Sequence, residues 1–247
     1  MIKKINIVFI ICILTGCAEQ HKAIKGSPEV VYQEAEQNML SDKVIAIEKL
    51  DFLELHYPKS VILPKIMSLK LYGLYSTKKF EEAIIQANKF IRIYPFHDKT
   101  PYAYYIKGMS YYKRIMDVYR DQKTTQDALD AFNELTRLFP NSEYVLASKE
   151  AIIDSENILA TKELEIGRFY GIRGQFGSAM ERYQFILKKY NHTIAAPEAM
   201  YRIVEVHYNI GTIDSCIGYI KMLEKQYPNS IWTKKAKNLI NHIISKK

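Results

Sequence analysis

Residues 71–95 read LYGLYSTKKFEEAIIQANKFIRIYP and hold one complete copy of a pattern that recurs along the chain. The small residue Ala83 lies twelve residues before Pro95, and the large apolar residue Phe90 lies five residues before it. A small side chain lets one helix approach another closely. A proline cannot continue a helix, so the chain must turn there. The stretch therefore predicts a pair of closely crossing helices that ends at Pro95.

The same register recurs five times. An aromatic residue followed by proline ends four of the units, and Tyr190-Asn191 takes that place in the remaining one. Twelve residues before these points lie small side chains: Ala46, Ala83, Ala128, Ala179 and Cys216. Five residues before them lie Leu53, Phe90, Leu135, Ile186 and Leu223, and eight residues before them lie Leu50, Ala87, Phe132, Tyr183 and Ile220. Steps of three and four residues share one helical face, so we expect all of these side chains to be buried.

This spacing is typical of tetratricopeptide repeats, which stack helix hairpins into a solenoid. We therefore expect an all-α fold, an α-solenoid of about five tetratricopeptide-like hairpins plus a C-terminal capping helix. The expected ranges are 28–59, 60–97, 100–141, 142–192 and 195–229 for the repeats and 230–247 for the cap.

Two repeats depart from the standard length. In the third, Gly108 and Ala128 stand twenty residues apart where twelve is usual, so about eight extra residues around 113–126 should bulge out between its helices. The fourth is expected to begin with one long helix at about 143–170.

The first residues have the features of a lipoprotein leader. Lys3 and Lys4 precede an apolar run that suits a signal peptide and is too short to span a bilayer as a helix. Leu14-Thr15-Gly16-Cys17 follows and resembles the bacterial lipobox. That resemblance implies that a peptidase cuts between Gly16 and Cys17 and so removes residues 1–16. It also implies that Cys17 carries a diacylglyceryl group on its sulfur and an acyl group on its amino nitrogen. Two acyl chains hold a protein stably on a membrane.

Residues 17–27 would then tether the folded part, 28–247, to the lipid. Ala18 is compatible with export to the periplasmic face of the outer membrane. The alternative is a plain secretory signal in which Cys17 stands by chance.

Charge and cysteine content exclude several classes of protein. The chain has 35 Lys and Arg against 27 Asp and Glu, or +8, and loss of Lys3 and Lys4 leaves 33 against 27, or +6. This modest excess is not concentrated in a dense run, which argues against nucleic-acid binding. Outside the leader and Cys17 only Cys216 remains, so no intramolecular disulfide is expected, and its place in the small-residue register predicts a buried, inert thiol.

No catalytic constellation is evident. The six His show no metal-ligand spacing, and the chain lacks a Gly-rich phosphate loop and a nucleophile elbow. We therefore expect no metal, no cofactor beyond the lipid on Cys17, and no enzymatic activity.

Candidate partner-binding residues lie in repeats three and four. Tyr104 and Tyr111, and likewise Tyr105 and Tyr112, are seven residues apart and form two stripes on one helix. One hypothesis is that one stripe packs while the other offers amphipathic rings to a peptide; the alternative is that all four only pack or lie on the surface. Arg182 is a further candidate, since Arg is favoured at interfaces, although a plain solvated charge is the preferred interpretation of this residue.

Three stretches, FIRIYPFH at 90–97, DALDAF at 127–132 and LFPNSEY at 138–144, resemble the BamD (YfiO/ComL) family of outer-membrane β-barrel assembly lipoproteins. The resemblance covers nearly the whole mature chain. It implies that the C-terminal repeats bind the periplasmic domains of the barrel-inserting protein, that the N-terminal repeats help receive unfolded outer-membrane proteins, and that other assembly lipoproteins are partners. Contact with the bilayer would run through the anchor only.

Two other functions stay open at this point. A pilotin that escorts a secretin is also a repeat lipoprotein, but its repeats are usually nearer thirty-four residues, whereas the repeat ends here are spaced 37, 45, 51 and 37 apart. An envelope enzyme that uses the repeats as a handle would need a further catalytic domain.

Overall fold

The computed structural model describes residues 26–245, apart from the side chains of Ile240 and of residues 242–245. The predicted leader, Gly16, Cys17 and the tether up to residue 25 lie outside the described residues. The described part is helical throughout, without a β-strand. Its helices are α1 (Pro28–Ser41), α2 (Lys43–His56), α3 (Leu63–Ser76), α4 (Phe80–Ile93), α5 (Thr100–Tyr112), α6 (Lys123–Leu138), α7 (Glu143–Ala147), α8 (Lys149–Ile172), α9 (Phe176–Lys189), α10 (Ala196–Asn209), α11 (Ile213–Gln226) and α12 (Ile231–Ser245).

These helices form five hairpins in a row: α1/α2, α3/α4, α5/α6, α8/α9 and α10/α11. Each helix packs against its chain neighbour, and α12 packs on both α10 and α11. Four of the hairpins have connections of one or three residues, so their helices run antiparallel. The predicted all-α solenoid of tetratricopeptide-like hairpins with a terminal capping helix is confirmed.

The residues of the predicted register form the core. All five small residues, Ala46, Ala83, Ala128, Ala179 and Cys216, are completely buried, and so are the larger residues four and seven positions further on. Burial also raises the pKa of the Cys216 thiol. The core is divided into clusters along the array, each shared by a hairpin and its neighbour. The register therefore specifies both the crossing within a hairpin and the stacking between hairpins.

The two irregular repeats differ from expectation in detail. The third repeat does bulge, but over residues 113–122, because residues from Lys123 onward already belong to α6. The long helix expected at 143–170 is interrupted at Ser148, which separates the short α7 from α8. The Ser148 hydroxyl donates to the Val145 carbonyl at 2.9 Å, and such a local bond competes with helix continuation.

Two glycines on first helices permit the closest crossings. Gly108 on α5 lies under the ring of Phe132, and Gly167 on α8 lies under the ring of Tyr183. A Cβ atom at either position would overlap the ring, so only glycine allows these helices to approach so closely.

Gly167→Ala should therefore lower the free energy of unfolding by about 1–3 kcal/mol, because the added methyl group overfills a close-packed site. Gly177 on α9 is a matched control, since a Cβ there meets no described atom within 4 Å. Gly177→Ala should leave stability unchanged or raise it slightly. Urea unfolding followed by circular dichroism measures both, and equal midpoints for the two variants would contradict the close crossing.

A buried carboxylate links the first two repeats. Glu54 at the end of α2 is paired with Lys70 of α3 at 2.7 Å and with Lys89 of α4 at 2.5 Å, and it accepts a hydrogen bond from Gln86 at 3.1 Å. Burial alone would raise the pKa of the Glu54 carboxyl, but the hydrogen bonds and charges of the two lysines outweigh burial and lower it. The ionised carboxylate therefore stabilises the junction.

Glu54→Gln should destabilise the protein by about 2 kcal/mol, since it leaves Lys89 without its carboxylate partner and Lys70 with Asp51 alone. Glu34→Gln, which removes only a partly exposed pair with Lys49, should have little effect. Because the pKa of Glu54 is lower in the folded protein, its contribution is present above the ordinary carboxyl range and is lost as pH falls through the folded pKa. Thermal unfolding of wild type and Glu54→Gln should thus converge in acid; a constant difference down to the lowest pH would contradict this.

Candidate protein-binding surfaces

The first helices of successive hairpins form a groove in the N-terminal half of the molecule. Four tyrosines line it, and we call this site the tyrosine groove: Tyr32 of α1, Tyr72 of α3, Tyr102 of α5 and Tyr144 of α7. The cavity has a volume of about 480 Å³, and its wall is completed by Lys65, Ser68, Leu69, His97, Asp98 and Lys99. A row of amphipathic rings on a fixed scaffold suits an extended peptide, because each ring offers apolar area and a polar edge.

The phenols of Tyr32 and Tyr102 in the groove stay protonated at physiological pH. Burial raises the pKa of Tyr102, and the neighbouring phenol of Tyr144 raises it further. The ring centroids of Tyr102 and Tyr144 lie 5.5 Å apart. Burial, and then the hydrogen bond with Glu36, raise the pKa of Tyr32. The groove therefore presents neutral hydroxyl donors, and its charge comes from Lys65, Lys99 and Asp98.

The two predicted tyrosine stripes lie on different sides of α5, and neither lines the groove. Tyr105 lies against Tyr144 at 5.3 Å between ring centroids, and the Tyr112 hydroxyl donates to Asp154 of α8 at 2.7 Å. That hydrogen bond, followed by burial, raises the pKa of Tyr112 to about 12.

The other stripe faces α6. The Tyr104 ring lies 6.1 Å from Phe139, and Tyr111 lies near Asp127 and Lys123. All four tyrosines are half-buried. Their role in partner binding stays a prediction.

A second surface lies between α8, α10 and α12 at the C-terminal end. It surrounds a cavity of about 450 Å³, and we call it the C-terminal surface; its lining includes Arg168, Ile172, Phe176, Tyr183, Tyr201, Arg202, Glu205, Tyr208 and Leu239. Burial raises the pKa of both Tyr183 and Tyr201 to about 12, so these phenols are neutral. The cavity therefore combines aromatic rings with fixed charges.

A network of charged residues shapes this surface. Glu198 of α10 is buried and pairs with Arg168 of α8 and with Arg202 at 3.0 Å, while Arg202 also reaches Glu205 at 2.7 Å. The Arg202 guanidinium lies 5.4 Å from the centroid of the Trp232 ring of α12. The network thus joins α8 to α10 and, through Trp232, to the cap.

Exposed apolar side chains border the C-terminal surface. Ile172 at the end of α8 is 86% exposed, and Phe169, one turn earlier, is half exposed beneath the guanidinium of Arg173. Large apolar residues exposed beside a cavity are a common feature of protein-binding sites.

The predicted Arg182 lies outside this surface. It pairs with Glu163 of α8 at 3.0 Å and is partly exposed. Sequence reasoning missed Arg168, Glu198 and Arg202. The spacing of Glu198, Arg202 and Glu205 on one helical face was a usable signal, but the pairing with Arg168 joins two helices and has no local signature.

Residues 26–245 contain no group of three or more His, Cys, Asp or Glu arranged to hold a metal ion. None of the helices in that range is long and apolar enough to cross a membrane.

Comparison with known proteins gives a family match over most of the chain. The model of the YfiO family, described as outer membrane lipoprotein, matches residues 25–216. The outer membrane protein assembly factor BamD of Rickettsia prowazekii is 33% identical over 197 residues, which cover 80% of this chain and 78% of that protein. BamD of Caulobacter vibrioides is 30% identical over 244 residues, covering 95% of this chain and 79% of that protein.

Among solved structures, a tetratricopeptide-repeat protein of Bacteroides fragilis aligns with a TM-score of 0.49 at 16% identity. The alignment covers 89% of this chain and 100% of that one.

Proposed function

This chain belongs to the BamD (YfiO) family of outer-membrane lipoproteins, and on that premise we propose that it is a lipid-anchored periplasmic scaffold for the assembly of outer-membrane β-barrels. The observation that carries the proposal is the family match over residues 25–216, which includes the whole tyrosine groove and, of the C-terminal surface, α8 and α10 but not α12. A stack of hairpins with two separate lined surfaces suits a protein that holds two others at once. The pilotin alternative is not favoured, because the curated relatives are named as assembly factors.

We propose that the C-terminal surface binds the periplasmic domains of the barrel-inserting protein. The exposed Ile172 lines its cavity together with Arg168 and Arg202, whose side chains are already held in place by Glu198. Such an arrangement needs little ordering on binding, because the charged side chains are fixed in advance.

The proposed role of the tyrosine groove is to receive unfolded barrel proteins. Strands of such proteins are short segments in which apolar and polar residues alternate, with aromatic residues near the membrane interfaces. Successive rings at Tyr32, Tyr72 and Tyr102 lie on three consecutive hairpins and can contact an extended chain at several points.

Ile172→Glu should reduce recovery of the barrel-inserting protein by about tenfold or more, since an unpaired charge would be buried in the interface. Ile85→Glu, which alters an exposed isoleucine on α4, is the matched control and should leave recovery unchanged. The measurement is purification of the tagged protein from gently solubilised outer membranes, with co-purifying proteins identified and quantified by mass spectrometry.

Purification of the tagged wild-type protein should recover a large barrel protein with periplasmic domains, in an amount nearly equal to that of the tagged protein. Recovery of a secretin in its place would overturn the assembly role. Equal loss with both variants would remove the C-terminal surface from the proposal.

Tyr72→Ala should weaken binding of a ten-residue barrel-strand peptide by about fivefold or more, because exposed aromatic anchors carry a large part of peptide-binding energy. Tyr119→Ala, which removes an exposed tyrosine on the 113–122 connection, should leave the affinity unchanged. Fluorescence anisotropy of a labelled peptide measures both. Identical affinities for the two variants would show that the peptide binds elsewhere.

The anchor has its own test. Cys17→Ala should abolish incorporation of labelled palmitate and leave the leader uncut, because the peptidase acts on the acylated cysteine. Continued labelling of this variant would place the lipid on another residue.

A further inference from the structure

In contrast to the expectation that only the anchor contacts the bilayer, we infer that one end of the first hairpin also lies against the phospholipid surface. The anchor then positions a specific face of the protein and does more than retain it. This inference rests on the proposed lipid on Cys17. The residues concerned, which we call the anchor-end surface, are Val30, Leu55, Lys59, Val61 and Lys65.

The path of the chain brings this surface close to the lipid. Gly26 is the ninth residue after Cys17, so the tether spans at most roughly 30 Å when fully extended. The described chain begins at Gly26, directly before α1, and α1 and α2 are connected by the single residue Asp42. The end of α2 and the following connection therefore lie beside the start of α1, at the point where the tether enters.

The anchor-end surface exposes apolar side chains that nothing in the described protein covers. Val61 in the connection after α2 is 95% exposed, Leu55 is 74% exposed, and Val30 is about half exposed. None of these residues belongs to the predicted core register, so packing of the repeats does not explain why these exposed positions are apolar. Partly immersed apolar side chains flanked by lysine are typical of segments that lie at the membrane interface.

Charge at this end suits an anionic lipid surface. Residues 26–31 and 55–65 carry exposed Lys59 and Lys65 against one exposed acid, Glu29. In sequence, the tether adds Lys22 and Lys25 against one acid, Glu19. Lysines held within a Debye length of the surface, about 10 Å, are attracted by acidic headgroups.

The opposite end of the same hairpin supplies an internal comparison. Leu40 at the end of α1 is 93% exposed, similar to Val61. Leu40 lies near the far end of the 14-residue α1, about 18 Å along the helix from its first residue, Pro28. Leu40 is therefore exposed as strongly as Val61 but lies far from the point where the tether enters, so it serves as a control position.

The test places a fluorescent probe at either end of the hairpin. Mature protein with a histidine tag in place of Cys17 is bound to vesicles of phosphatidylethanolamine, phosphatidylglycerol and a nickel-chelating lipid. Single cysteines replace Val61 or Leu40 and carry an environment-sensitive dye, in a Cys216→Ala background that matches the alanine found at that register in the other repeats. Nitroxide-labelled lipids in the vesicles quench dyes that lie at the interface.

The dye at position 61 should be quenched several-fold more strongly than the dye at position 40, and Lys59→Glu should reduce the difference. Equal quenching at the two positions, or none at either while co-sedimentation shows the protein bound, would overturn the inference. Because the tag replaces native acylation, this result is independent of palmitate labelling in cells. A failure of the bilayer contact and a failure of the proposed anchor are thereby told apart.

Discussion

The close approach of two helices at one small side chain is the constraint on which the rest of this structure depends. Ala83 and its equivalents are completely buried, and in repeats three and four a glycine on the first helix meets a large ring from the second. The short distance between the helices brings the larger residues four and seven positions later into contact with the next hairpin. Without that approach the hairpins would have no common stacking face, and neither binding surface would be assembled.

Much of the fold could be predicted from the sequence because it depends on local spacing. The register of small and large residues identified the buried face of the second helix in each hairpin, including Cys216 in the place of an alanine. The interruption at Ser148 was missed, because a serine within an apolar, helix-forming stretch gives a weak signal and its hydroxyl bond to Val145 depends on the actual chain path.

The candidate sites were less predictable because they combine residues from distant parts of the chain. Aromatic content directed attention to α5, yet the residue that lines the groove is Tyr102, whose partners come from α1, α3 and α7. In the C-terminal surface, Arg168 and Glu198 are thirty residues apart and meet only after α8 and α10 have stacked. Periodicity indicates which face of a helix is buried, but it does not indicate which charged residues from two helices will meet at the edge of that face.

Among the described helices, hairpin α5/α6 is the one that contacts both the first two hairpins and the C-terminal helices. Helices α1 to α4 make no helix–helix contact with α7 to α12. Helix α4 packs on α5, and α8 packs on both α5 and α6. A change in the packing of α5 on α6 would therefore alter the position of the first two hairpins relative to the C-terminal helices. The angle between the tyrosine groove and the C-terminal surface therefore depends on how closely Gly108 packs beneath Phe132.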